Sequence, residues 1–181
     1  MVNRGAPRRN LRQKGSELIE FTLCFLPLLI MVFVLLDAAW AIFSKATLSF
    51  AVRMALRTGI TITGTQATAA NSDLVAMTKA NVQKYSLGLL RGTTGWNKIK
   101  VHFWQPPAPG TNAAPTLVDA QADANKPYNI MQVSVEGFTL SPLVPRLFSW
   151  KDRDTSATPI AATCYDLIEP SRDVPPKGSA P

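Results

Sequence analysis

One carboxylate lies at the edge of a long apolar segment and another lies inside it. A charged group in such a place needs a physical reason. Glu20 directly precedes the run from Phe21 to Phe43, and Asp37 is the one charged residue within that run. A carboxylate costs about 2.5–3.5 kcal/mol at the middle of a bilayer, and less near the surface or beside a cation. Each acid is therefore either an interfacial residue or a contact for a partner, and both interpretations stay open at this point.

The other residues with reactive side chains are too few and too scattered to predict a catalytic site. His102 is the single histidine, and Lys98 and Lys100 on the same strand face predict that it is solvated. Cys24 and Cys164 fall in different parts of the chain, which predicts neither a disulfide nor a metal site. Cys164 is then a small buried residue or, alternatively, a cross-link between subunits. No phosphate-binding loop, dinucleotide motif or nucleophile elbow occurs, so we expect no enzymatic activity, metal or cofactor.

The apolar segment has the length and composition of a membrane-spanning helix. Its 23 residues would extend about 34 Å as a helix, enough for a hydrocarbon core of ~30 Å. Pro27 lies inside it, and membrane helices tolerate proline. Residues 1–15 contain five cations and no acid: Arg4, Arg8, Arg9, Arg12 and Lys14. Because cations hold their flank of a span in the cytoplasm, the part that follows the span is predicted to be exported.

The distribution of charge argues against nucleic-acid binding, although the net charge is +7 and the pI is near 9.7. Residues 1–15 contribute +5 of this charge, and the other 166 residues, with 14 basic and 12 acidic side chains, contribute only +2. The basic block runs straight into the apolar segment, which is typical of a membrane insertion signal. The hydrophobic content of 46% also excludes a wholly disordered chain.

The residues around the start of the apolar segment follow a recognisable order. A glycine ends the basic leader, a glutamate stands five residues after it, a phenylalanine opens the apolar run, and a Leu-Pro pair, an acid and an Ala/Arg repeat come later. These elements are Gly15, Glu20, Phe21, Leu26-Pro27, Asp37 and the segment Ala51–Gly59. Together they resemble the TadE-like family of type IV pilin-like proteins, over about residues 14–60. Glu17 departs from the small or apolar residue usual so close to the glycine.

This resemblance implies a processing site and an assembly site. A prepilin peptidase would cleave between Gly15 and Ser16, and the carboxylate of Glu20 would pair with the new amine of a neighbouring subunit, with Phe21 beside it. The chain would be a minor pilin or pseudopilin in the assembly of a Tad-type type IVb pilus, which serves adhesion, surface colonisation and secretion. The implied partners are the inner membrane, other pilin and pseudopilin subunits, the prepilin peptidase and the pilus assembly platform. The implied location is the bacterial inner membrane, crossed once with the N-terminus in the cytoplasm and the C-terminal domain in the periplasm, or the extracellular pilus itself.

Alternatives to this interpretation also fit the residues. Ala39-Trp40-Ala41 has the small-residue pattern of a signal peptidase site, with cleavage after Ala41. An uncleaved single-pass anchor is another possibility. The alternative function is a membrane-anchored periplasmic binding module that is unrelated to pili.

The rest of the pattern predicts an α+β protein. Helical periodicity runs from Ser16 to Arg57 with Gly59 as a stop, and a second helix is expected from Asn71 or Ser72 to about Leu90. The pattern predicts three strands, at Lys98–Trp104, Asn129–Phe138 and Thr158–Leu167. A disordered tail is expected after the third strand. The predicted division is a leader (1–15), a transmembrane and extended helix (16–58), a head with one helix on a three-stranded antiparallel sheet (59–169) and a tail (170–181). Residues 105–127 are predicted to be an exposed loop, and Pro142 and Pro145 to bracket a turn.

Overall fold

The structure, a computed structural model, describes residues 11–140, 158–170 and 173–178, with side chains from residue 17 onward. Within these residues, four helices and four strands follow in chain order: α1 (Leu11–Gly59), α2 (Gly64–Ala69), α3 (Leu74–Tyr85), α4 (Gly92–Asn97), β1 (Ile99–Gln105), β2 (Thr116–Leu117), β3 (Ile130–Leu140) and β4 (Thr158–Leu167). The predicted α+β class with a long N-terminal helix and an antiparallel sheet is confirmed. The turn predicted around Pro142 and Pro145 lies outside the described residues.

The helix α1 has two halves with different surroundings. No side chain from 17 to 43 is buried, whereas the face formed by Leu48, Val52 and Leu56 is fully buried or nearly so. That face repeats every four residues, as an amphipathic helix requires, and Arg53 on the other side is exposed. The helix begins five residues before the predicted start at Ser16 and ends at the predicted stop, Gly59.

Gly59 lets α1 end in close contact with the head. A Cβ at this position would lie 2.9 Å from Oγ1 of Thr78 and 3.1 Å from Cε of Met131. The missing side chain therefore allows α1 to approach α3 and β3 at the same point.

The segment between α1 and β1 contains three short helices instead of one predicted helix. The hydroxyl of Thr63 and the amide of Gln66 form a reciprocal capping box that starts α2. Asp73, and not Asn71 or Ser72, caps α3 by accepting a hydrogen bond from the backbone N–H of Ala76 at 2.7 Å. The α3 helix ends at Tyr85, five residues before the predicted end, because Leu87 and Gly88 adopt positive φ angles of 50° and 88°.

The antiparallel sheet has the order β2-β1-β3-β4. One face packs against α1 and α3, and its buried side chains are Ile99, Val101, Phe103, Met131, Val133, Val135, Ile160 and Ala162. The predicted alternation in β1 is confirmed. In β3 the alternation shifts at a bulge between Val135 and Phe138, where Gly137 has a φ of 65°, so that Phe138 and not Gly137 continues the buried face.

Two expectations for the less regular parts of the head are wrong. The predicted exposed loop 105–127 contains the edge strand β2 and the buried residues Val118, Ala124 and Asn125. The predicted disordered tail is in fact ordered at residues 173–178, where the carbonyls of Pro176 and Lys177 accept hydrogen bonds from the first two backbone N–H groups of α3 at 2.9 and 3.2 Å. Residues 173–178 form neither helix nor strand, but the tail's carbonyls still satisfy donors that the start of α3 leaves free.

Lys79 on α3 is a charged side chain in the core, with only 8% of its surface exposed. Burial is the main reason that its pKa is lowered from 10.5, Lys100 adds to the effect, and Asp73 opposes it. Because the unfolded chain holds this proton more tightly than the folded one, the folded state is penalised at neutral pH, and the penalty disappears as the pH rises toward 10.5.

We therefore expect the free energy of unfolding of the native protein to rise, relative to that of Lys79→Met, between neutral pH and a pH near 10.5. Urea unfolding of both proteins in detergent micelles measures the difference. Lys84→Met is the control, since Lys84 lies on the same helix but is exposed. An unchanged difference between native protein and Lys79→Met across this pH range would contradict the burial of the charge.

Candidate functional site

The exposed half of α1 is an apolar surface with no partner inside the described part of the chain. From Glu17 to Gly59 the helix is long and apolar enough to cross a membrane, and its most apolar window has a mean hydropathy of 2.6 with no residue buried. Leu23 and Ile42, near the two ends of the apolar segment, are each 71% exposed. In water such a surface would be strongly unfavourable, so this half of the helix is suited to lipid or to the helices of other proteins.

The structure places the predicted processing and assembly residues on the first turns of α1. Gly15 and Ser16 lie within the helical backbone, and their side chains are outside the described residues. Glu20 is exposed, and the ring of Phe21 stacks on that of Phe25 with centroids 5.4 Å apart. The carboxylate of Glu20 therefore borders an apolar aromatic surface at the start of the span.

Pro27 closes one side of a shallow apolar groove on the same helix. The groove is lined by Leu18, Ile19, Thr22, Leu23, Leu26 and Pro27. The hydroxyl of Thr22 donates a hydrogen bond to the carbonyl oxygen of Leu18 at 2.8 Å, so its polar group is satisfied within the helix. The α-helix continues through Pro27, and the surface offered to a partner contains no unsatisfied hydroxyl at this point.

Asp37 does not belong to the same site as Glu20. Seventeen residues separate them, which corresponds to about 25 Å along the helix axis. Asp37 is half-buried and lies one turn before Trp40, whose ring stacks against that of Phe43 with centroids 5.6 Å apart. Glu20 and Asp37 therefore occupy opposite ends of the apolar segment, as their positions in the sequence predict.

A polar cluster in the head escaped the sequence analysis. His102 was predicted to be solvated, but its Nδ1 lies 2.5 Å from Oδ2 of Asp119, and its side chain is 27% exposed. The other oxygen of Asp119 accepts a hydrogen bond from the backbone N–H of Phe103 at 2.6 Å. The ammonium of Lys177 donates hydrogen bonds to the backbone carbonyls of Asp119 and of Gln121. The partners are 17 and 58 residues apart, and no local pattern connects them.

We expect Asp119→Ala to lower the free energy of unfolding by about 1–3 kcal/mol, because it leaves the backbone N–H of Phe103 without its acceptor. Urea unfolding followed by tryptophan fluorescence measures this. Asp123→Ala is the matched control: that exposed acid pairs with Lys126 three residues later, and its loss should cost less than ~0.5 kcal/mol. Equal losses in the two variants would show that Asp119 does not hold this part of the head together.

The sheet face away from the helices carries a second apolar cleft. It is lined by Trp104, Ala114, Pro115, Ile130, Gln132 and Tyr165 and has a volume of about 470 Å³. The indole N–H of Trp104 donates a hydrogen bond to the side-chain oxygen of Gln132 at 2.6 Å. Tyr165 is 73% exposed. Aromatic rings beside an amide form a surface that could bind a ligand or a partner segment.

Among the described residues, no group of three or more histidine, cysteine or acidic side chains is arranged to hold a metal ion. Cys24 and Cys164 are both free in the structure. Cys24 is exposed on α1, whereas Cys164 on β4 is half-buried and packs against the core.

Within the residues that the structure describes, the geometry defines a class of protein with one N-terminal apolar helix that is suited to membrane anchoring. The second half of this helix forms part of the core of an α+β head. Residues 15–57, about a quarter of the chain, match a family model described as TadE-like protein, which confirms the resemblance drawn from the sequence. The match suggests a minor pilin related to the Tad pilus. No curated protein and no solved structure matches the chain.

Proposed function

We propose that this protein is a minor pilin or pseudopilin that acts in the assembly of a Tad-type type IVb pilus. The observation that carries the proposal is the division of α1, because an exposed apolar half continues without a break into a half that is packed in the head. Such a helix can bury its free half against the helices of other subunits while the head stays outside the bundle. The family match covers this helix and suggests the same role.

In this proposal a prepilin peptidase removes the basic leader by cleavage between Gly15 and Ser16. The new amine of Ser16 is a cation close to the membrane surface. Glu20, exposed at the start of the span, supplies a carboxylate to the amine of a neighbouring subunit. Since pairing lowers the cost of placing both charges near hydrocarbon, this contact sets the axial register between subunits.

The apolar surface that follows provides the packing. The Phe21–Phe25 stack and the groove ending at Pro27 offer ridges and a recess to neighbouring helices, and Asp37 meets partners or the interface at the other end. The helix crosses the bacterial inner membrane once, with its N-terminus in the cytoplasm and the head in the periplasm or on the extracellular pilus. The partners are other pilin and pseudopilin subunits, the peptidase and the assembly platform. The role is structural, without catalysis, cofactor or nucleic acid, and it supports adhesion, surface colonisation or secretion.

The second candidate function is a membrane-anchored periplasmic binding module without a role in pili. The cleft beside Trp104 and Tyr165 favours it, because an exposed tyrosine and a half-buried tryptophan next to Gln132 are suited to contact a ligand. This alternative requires the anchor but neither cleavage after Gly15 nor a role for Glu20.

Sheared pili from cells that carry Glu20→Leu distinguish the two functions. We expect at least tenfold less of the variant than of the native protein in the pilus fraction, or an equal loss of pili if the protein initiates assembly, since the charge that pairs with the amine is gone. Glu17→Leu is the matched control, because this exposed acid is one turn earlier on the same helix. Native protein confined to the membrane fraction, with unchanged pili when the protein is deleted, would refute the pilus role.

A further inference from the structure

Several large apolar side chains are exposed where α1 leaves the apolar segment and meets the head. Trp40, Phe43 and Phe50 on α1 are 51%, 47% and 55% exposed, and Leu87 in the turn after α3 is 72% exposed. The ring of Phe50 meets that of Tyr85 edge to face, with centroids 6.3 Å apart. Between α1 and the end of α3 lies a groove of about 360 Å³, lined by Phe43, Ala46, Thr47, Phe50, Lys84, Tyr85 and Leu87. We call these exposed and groove-lining side chains, Trp40 included, the interfacial collar.

The collar lies at the end of the head that is closest to the apolar segment. Gly59 of α1 packs beside Thr78, and Phe50 packs beside Tyr85, so α3 runs antiparallel to α1 and its C-terminal end points back toward the span. The turn that follows α3 therefore places Leu87 level with Phe43, the last residue of the apolar segment. A rise of 1.5 Å per residue puts Phe50 about 10 Å beyond Phe43 along the helix, close to the outer edge of a headgroup layer that is roughly 5–8 Å deep.

Apart from Asp37, which lies one turn before Trp40, the charged side chains beside the collar within the described residues are cationic. Between Ala38 and Val118 the sequence contains one acid, Asp73, and it caps α3 at the end away from the collar. Lys84 lines the groove. Arg91 lies against the same turn, since a Cβ at Gly88 would be 2.7 Å from its Nε. Two cations beside an exposed leucine and several aromatic rings match the phosphate layer and the upper acyl region of a phospholipid bilayer.

The backbone also indicates that Leu87 is held exposed at a conformational cost. Its φ of 50° is in the left-handed region, which is rare and strained for a bulky residue. The turn is held by polar contacts: the side-chain amide of Gln83 donates to the carbonyls of Leu90 and Gly92 at 2.8 and 2.9 Å, and the hydroxyl of Ser86 accepts from the N–H of Leu90 at 3.3 Å. An apolar side chain is thereby fixed in an outward position, toward the side of the span.

We propose that the interfacial collar seats the head on the phospholipid surface of the leaflet from which α1 emerges. Leu87 and the rings of Trp40, Phe43 and Phe50 enter the interfacial region, while Lys84 and Arg91 bind lipid phosphates. The proposal rests on membrane insertion of α1, and it follows from the continuity of the collar with the span and from its charge. Before assembly the head is thus held upright on the membrane and the groove is covered by lipid.

The test uses the full chain in vesicles of phosphatidylethanolamine and phosphatidylglycerol, at a low ratio of protein to lipid. Cys24 and Cys164 are replaced by alanine, and one spin label is attached at Leu87→Cys, Leu117→Cys or Val32→Cys. Leu117 is the matched control because it is also an exposed leucine. It lies on β2, which pairs with the C-terminal end of β1, whereas α4 and the turn that contains Leu87 precede the other end of β1. Collision with oxygen and with a water-soluble nickel chelate reports the depth of each label.

We expect the label at Leu87 to be at least tenfold less accessible to the chelate than the label at Leu117, and the label at Val32 to lie deep in the bilayer. Lys84→Gln and Arg91→Gln should each reduce the ratio of lipid-protected to water-accessible label at Leu87 by about fivefold. If Val32 is deep but Leu87 is as accessible as Leu117, the collar proposal is wrong and membrane insertion stands. If Val32 itself is accessible to the chelate, both are wrong.

Protection of Leu87 that appears only as the ratio of protein to lipid increases would identify a second copy of the chain as the occupant of the collar. That result would also overturn the assignment to lipid.

Discussion

Replacement of Gly15 by valine is expected to leave the protein uncleaved, with its mass larger than that of the mature protein by the mass of residues 1–15. A glycine at this position lets the peptidase approach the scissile carbonyl without a side chain in the way, and valine would block that approach. Since no amine forms at Ser16, the partner of Glu20 on the neighbouring subunit is also absent, and we expect the variant to be lost from the pilus fraction. Mass spectrometry of the intact protein measures the first effect, and immunoblotting of sheared pili measures the second.

Gly5→Val is the matched control, because it makes the same substitution within the leader but away from the proposed cleavage site. Its processing should equal that of the native protein. A native protein that begins at Met1 would show that the leader is retained, and one that begins at Ile42 would show cleavage by a signal peptidase. Either result would refute pilin-type processing and favour the membrane-anchored binding module.

Replacement of Phe103 by alanine is expected to lower the free energy of unfolding of the head by about 3–5 kcal/mol. Phe103 is the largest fully buried side chain among the described residues, with 0% exposure, and it lies on the β1 face that packs against the helices. Its loss removes apolar contacts and leaves a cavity where the neighbouring β3 residue Met131 is also fully buried. The loss is a large fraction of the 5–15 kcal/mol typical of a domain.

Urea unfolding in detergent micelles, monitored by near-ultraviolet circular dichroism, measures this loss of tertiary structure. Tyr165→Ala is the control, because Tyr165 is an aromatic residue of the same sheet whose side chain is 73% exposed and whose loss should change the free energy of unfolding by less than ~0.5 kcal/mol. Similar destabilisation by both substitutions would contradict the assignment of the core to the helix-facing side of the sheet.

The long helix α1 and the strands β1, β3 and β4 were predictable because their signals are local in the sequence. Helical periodicity predicted α1 as far as its stop at Gly59, and the alternation in 98–104 predicted the buried face of β1. The bounds of β4 were predicted without error. The combination of Gly15, the Glu20-Phe21 pair, the Leu26-Pro27 pair and the later Ala/Arg repeat was also sufficient to recognise the TadE-like segment that the family model matches.

The misjudged parts depend on contacts between residues that are distant in the chain. Asp119 meets His102 across 17 residues, and Asn125 donates a hydrogen bond to the carbonyl of Pro175 across 50. Because such contacts leave no periodic pattern, the segment 105–127 and the ordered part of the tail resembled unstructured chain. The bulge at Gly137 was hidden for a related reason, since a single inserted residue changes the face of every residue after it.

The amino-acid order alone thus specifies an apolar helix with Glu20 at its start and Asp37 near its end, because length, hydropathy and charge are properties of consecutive residues. Tertiary packing decides which half of that helix is free. Packing against α3 and the sheet buries one face of the half that follows Phe43, and the antiparallel α3 brings Lys84, Tyr85 and Leu87 beside it. These residues are about 40 positions later in the chain, and only the free energy of packing apolar faces together places them at the end of the span.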